Sequence, residues 1–175
     1  SVGYDLYLKL LEEAVLEERG EEKQIETECS ADLTVNANIP ERYVASAEQR
    51  MDIYRRIAAI RSEEDSADVL DELIDRYGEP PKPVLALLDV ALLRSAAVKA
   101  GVSDITQKGE KLRLTLGAFL PAALVRVVNL PKYKYRLALS AGEIPCLTLT
   151  LKPGEEVLDA ALTLVEDLRL SMTAE

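Results

Sequence analysis

The run Gly78-Glu79-Pro80-Pro81 narrows most what this chain can become. Glycine closes a helix in a conformation other residues resist, and the prolines remove N–H donors and disfavour helical geometry in the residue before them, so a helix must end at Tyr77. Ser62 is the matching N-cap, with Asp65 three positions on where the usual capping box has Glu or Gln. A helix over 63–77 follows. Residues 47–61 predict a helix before it, with Met51, Ile53, Tyr54, Ile57, Ala58 and Ile60 on a broad apolar face opposite Arg50, Arg55, Arg56 and Arg61. Residues 83–100 predict a third, the most apolar, closed by Gly101.

Beyond Gly101 the hydrophobic period changes from helical to two. Residues 102–106 and 111–116 read as a hairpin turning at Lys108-Gly109, and 134–140 and 146–151 as a second strand pair joined through Ala141-Gly142. Between them 118–128 reads as a short helix, with Pro121 tolerable only in its first turn. An amphipathic helix over 155–171 closes the chain. Upstream, 2–19 reads as an amphipathic helix ended by Gly20, and 21–30 as a charged loop or weak edge strand. The alternation of Leu33, Val35 and Ala37 against Thr34, Asn36 and Asn38 predicts a half-buried strand over 32–38. The expected class is α/β of the α+β type, with several helices on a small, mostly antiparallel sheet in two layers.

With 175 residues the chain has one domain's length, and its 48% hydrophobic and 30% charged residues suffice for a core. It has no histidine, which removes His general bases, Ser-His and Cys-His dyads and imidazole metal ligands. Cys29 and Cys146 are too far apart in sequence for a C-x-x-C site, and a reduced, cytosolic setting suits them. The eight glycines are scattered, so no phosphate-binding loop or ATPase motif is built and no cofactor is expected. No run is apolar enough for a membrane span, and the start lacks a signal peptide's charged and apolar regions. Beginning at Ser1 and not Met, the chain is expected to be a segment of a longer protein.

The acidic residues invite a paired-carboxylate hydrolase, but they lie on polar helix faces where solvation is ordinary. The basic cluster Lys132, Lys134 and Arg136, interleaved with Tyr133 and Tyr135, suggests a nucleic-acid or polymerase contact, against which the net charge of −10 acts. The informative face belongs to the helix over 63–77. Helical spacing gathers Leu70, Leu73, Ile74 and Tyr77 on one side and Asp65, Asp68, Glu72, Asp75 and Arg76 on the other. Such a face is a solvated surface with one Glu72 to Arg76 pair, or a docking surface for a basic partner whose register Arg76 sets.

Four blocks in order carry a resemblance: Val2-Gly3-Tyr4-Asp5-Leu6-Tyr7 with Leu10-Leu11-Glu12-Glu13-Ala14-Val15; the Pro40 region; Arg50-Met51-Asp52-Ile53-Tyr54-Arg55-Arg56-Ile57-Ala58; and Glu72-Leu73-Ile74-Asp75-Arg76-Tyr77-Gly78 before Pro80. The set resembles the C-terminal end of the bacterial transcription-repair coupling factors, the Mfd family, over about residues 2–101. That resemblance implies a non-catalytic regulatory domain acting in DNA repair coupled to transcription. In that family an ATP-driven, RecG-like DNA translocase lies upstream, and the C-terminal domain clamps on a UvrB-like module of the same protein. The clamp masks the UvrA-binding surface and restrains translocation until RNA polymerase engages. Carried over, Glu72, Asp75 and Arg76, with Asp68 beside them, are the expected interdomain-binding positions. Residues 1–20 are then a connector helix from the translocase and 21–175 the regulatory domain, with a sub-boundary near 101. No direct nucleic-acid or membrane partner is expected, and an accessory module binding nucleic acid or polymerase is the alternative.

Overall fold

The computed structural model describes residues 28–173. The helix expected over 2–19, and all but the end of the 21–30 segment, lie outside the described residues. The described chain forms β1 (Ser30–Asp32), α1 (Ala47–Ala58), α2 (Glu63–Tyr77), α3 (Lys82–Lys99), β2 (Val102–Lys108) and β3 (Lys111–Leu116). There follow α4 (Pro121–Val128), a 3₁₀ turn at Pro131–Tyr133, β4 (Leu137–Ser140), β5 (Cys146–Thr150) and α5 (Val157–Thr173). Two compact units divide these elements. Among the described residues one is Val35–Leu92 and the other 28–34 with 93–173.

The first unit is helical. Ser46 caps α1 by accepting from Gln49 N–H at 3.2 Å, and Ser62 caps α2 by accepting from Asp65 N–H at 3.1 Å. Asp65 in turn accepts from Arg61 N–H at 2.9 Å, so the position expected in a capping box serves the residue before the cap. Gly78 ends α2 with φ of 85° and ψ of −168°, a region open in practice to glycine alone. Ile57, Val84, Leu87 and Val90 are wholly buried, and Tyr54 Oη accepts from Ile39 N–H at 2.8 Å within the same core. Residues 35–39 keep the alternating burial read from the sequence but form no ladder; Asn38 N–H goes instead to Pro83 O at 3.2 Å. The strand expected over 32–38 is thus displaced to Ser30–Asp32, because only there is a neighbouring strand in reach.

The second unit holds a five-stranded sheet in the order β1-β2-β3-β5-β4. β1 runs parallel to β2 and the other three pairings are antiparallel, so the sheet is mixed and the α/β class holds. Register follows the alternation. Ile105, Leu114 and Leu147 stand opposite one another across β2, β3 and β5, as do Leu112, Leu149 and Leu137 across β3, β5 and β4. This face is apolar, and Ile105, Leu112, Leu114 and Leu147 are wholly buried. The reverse face carries Thr106, Arg113 and Thr148 in one row. Helix α4 starts with Pro121 in its first turn, as its missing N–H requires, and packs on α5.

Cys29 is buried in this unit, and burial, outweighing the nearby Arg94, pushes its thiol up to about 12. Two results are expected. At about pH 8.5 the folded chain alkylates at Cys29 roughly 700-fold more slowly than the chain in urea, as the ratio of thiolate fractions requires, measured by mass spectrometry of the peptide. Because the folded thiol resists ionisation, its share of stability is complete below 9.0, the unperturbed value, and is lost as pH rises from there toward about 12. Equal alkylation of folded and unfolded chains would exclude this environment.

Candidate functional site

Helix α2 buries Ser66, Val69 and Leu73 and leaves Leu70 and Tyr77 half-buried. Ile74, expected to face inward, is 36% exposed, because the buried stripe centres on Val69 and Leu73 and leaves Ile74 at its edge. The opposite side is charged as expected: Asp68, Asp71, Asp75 and Arg76 are exposed and Glu72 is half-buried. One turn apart, Asp68, Asp71 and Asp75 form a stripe along the helix. All four carried-over positions, Asp68, Glu72, Asp75 and Arg76, therefore lie on the outer side of one helix.

Two features hold the end of this face in place. Tyr43 donates its hydroxyl toward Leu73 O at 3.2 Å and Gly78 O at 2.7 Å, and its ring meets Tyr77 at 5.8 Å between centroids. Burial, helped by Glu79 and Tyr77, raises the Tyr43 phenol above its ordinary value, so it stays a neutral donor. The Arg76 guanidinium sits 5.2 Å from the Tyr77 ring centre, a cation–π placement. Glu72 meets Arg76 at 3.5 Å and also pairs with Arg56 of α1. Sequence spacing showed the first pair; Arg56 was visible only as one of four arginines on the polar side of α1.

The basic tyrosine segment departs from expectation. Lys134 to Arg136 join no strand, since the 3₁₀ turn and the left-handed Tyr135 (φ 65°) interrupt the run. Tyr133 is buried and donates to Asp167, Lys132 pairs with Asp167 at 3.0 Å, and Arg136 pairs with Glu155. A row of exposed aromatics for stacking bases needs several rings, and only Tyr135, 96% exposed, stands free of the core here. Among the described residues no three Cys, Asp or Glu side chains gather as metal ligands would, and no helix is long and apolar enough to cross a membrane.

The described residues place the chain in the class of small α/β domains, one helix of which presents a charged outer face. Comparison with known proteins makes this specific. The family model described as the TRCF domain matches residues 33–123. The transcription-repair-coupling factor of Staphylococcus epidermidis is 32% identical over 179 aligned positions, covering 98% of this chain and 15% of that protein. The Bacillus subtilis factor is 37% identical over 117 positions, covering 66% of this chain and 10% of its own length. A crystal structure of the C-terminal domain of transcription-repair coupling factor superposes with a TM-score of 0.73 at 22% identity, covering 85% of this chain and 97% of that one. The chain belongs to the TRCF domain family of the transcription-repair coupling factors. It spans about 15% of the length of the first relative.

Proposed function

We propose that this chain is a non-catalytic regulatory domain that docks, through the outer face of α2, on a UvrB-like module of the same polypeptide. Docking masks the surface that UvrA would use and restrains the upstream DNA translocase until RNA polymerase engages. The carrying observation is the arrangement of α2: Asp68, Asp71 and Asp75 exposed in one stripe, with Arg76 held beside them by Glu72 and Tyr77. Residues 1–20 then carry the connector and 21–175 the regulatory domain. A tethered domain meets its target at effective concentrations that reach about millimolar, so a modest polar interface stays closed and still opens when another partner competes.

The clean probe is Asp75. Reversing Glu72 also breaks its pairs with Arg56 and Arg76, so that variant reports the α1 to α2 tie and docking together. Asp75→Lys is expected to weaken binding of the chain, added in trans, to the UvrB-like module by about tenfold or more without lowering the melting temperature. UvrA is expected to displace the unmodified chain. Undiminished binding by a folded Asp75→Lys chain sinks the assignment of this face.

A further inference from the structure

Glu72 has both carboxylate oxygens engaged within this chain: Oε2 on Nη1 of Arg56 and Oε1 on Nη1 of Arg76. Two of its roughly four lone-pair sites are thereby spent within the chain. The two arginines spend less of theirs. A guanidinium holds five N–H donors in a planar fork, and Glu72 faces one nitrogen of each. The side chains remain 45% exposed at Arg56 and 49% at Arg76. The other arginines near α1 are engaged differently. Arg50 donates to the Val44 and Ala45 carbonyls, Arg61 to those of Ala58 and Ile60, and Arg55 pairs with Asp52 on its own helix. Arg56 pairs through its guanidinium with Glu72 on the charged side of α2, and Arg61 meets that helix through its backbone N–H on Asp65.

We infer that Arg56 belongs to the docking face, that Arg56 and Arg76 together form a two-armed receptor for a carboxylate-bearing patch on the partner, and that Glu72 is a positioning residue acting through them. The inference rests on the docking reading above and assigns the chemistry of its partner. Around the axis of α2 Asp68, Asp71 and Asp75 fall to one side of Glu72 and Arg76 to the other, so the face is polar in the electrical sense. The matching surface presents carboxylates opposite the arginines and cations opposite Asp68, Asp71 and Asp75. That polarity admits one orientation and repels the reversed one.

The test is binding of the chain in trans to the UvrB-like module at several salt concentrations, with melting followed by circular dichroism. Arg56→Ala and Arg76→Ala are each expected to weaken binding about tenfold and to flatten its salt dependence. Arg56→Lys keeps a cation for Glu72 but loses the fork, so it recovers only part of the affinity. Glu72→Gln is expected to cost severalfold alone and nothing further once both arginines are alanine, the non-additivity of a residue that acts through others. If Arg56→Ala melts early, folded Arg56→Lys decides, weaker binding supporting the receptor and unchanged binding overturning it. Unchanged binding by folded Arg56→Ala while Asp75→Lys weakens it removes Arg56 and leaves the docking face. Unchanged binding by Asp75→Lys and by both alanine variants removes the docking face itself.

Discussion

Gly101→Ala is expected to destabilise the chain by about 3 kcal/mol or more. Gly101 has φ of +79°, where an L side chain costs roughly 1–2 kcal/mol. A Cβ there would also stand 2.1 Å from the Ala118 carbonyl oxygen. That neighbour is backbone, so no rotamer change relieves it. Moving it would strain the turn in which Gly101 O accepts from Gly117 N–H at 2.9 Å and Ala118 N–H at 3.2 Å. Gly109→Ala is the control: its φ is +58° and a Cβ there meets nothing within 4 Å, so only the conformational cost of roughly 1–2 kcal/mol applies. Urea denaturation of both variants measures the difference. Equal losses would show that the approach of residues 101 and 118 is looser than described.

Leu114→Ala is expected to cost about 3 kcal/mol, within the roughly 2–5 kcal/mol range for a buried leucine. Leu114 is wholly buried and stands between Ile105 and Leu147 at the middle of the apolar sheet face. Strands on both sides are hydrogen-bonded in register, so neighbouring chains are poorly able to close on the cavity. Leu139→Ala, on edge strand β4 and 36% exposed, is expected to cost less than about 1 kcal/mol by the same measurement. A small loss at Leu114 would contradict the register that places it centrally.

The parts of the fold legible in the sequence are those written in local chemistry. Ser62 and Gly78 bound α2 because a hydroxyl and a positive φ act within three or four residues, and Gly109 turns its hairpin for the same reason. The parallel pairing of β1 with β2 was not legible, since Ser30 faces Asp104 only after a long intervening segment has folded. The alternation over 32–38 was real in burial and silent about hydrogen-bond partners. Lys134 to Arg136 alternate like a strand, yet pairing of Arg136 with Glu155 and of the neighbouring Tyr133 with Asp167 directs the backbone otherwise.

The site divides in the same way. The charged face of α2 follows from helical spacing alone, and the interdomain role proposed for it came from resemblance. The link between Arg56 and Glu72 joins two helices, and no spacing rule connects residues on separate elements. Sequence could offer Arg56 only as one of several equivalent cations, whereas geometry distinguishes it by its partner.

The order of the units along the chain bears on synthesis. Residues 28–34 belong to the sheet-bearing unit, 35–92 to the helical one, and 93–173 return to the first. As the polypeptide leaves the ribosome, the helical unit has all its described residues once Leu92 has emerged, while β1 has no strand to pair with until β2 follows. The nascent chain therefore holds a finished charged helix face before the sheet that shares its domain exists. Folding of those intervening residues shortens the flexible stretch that pairing of β1 with β2 has to close.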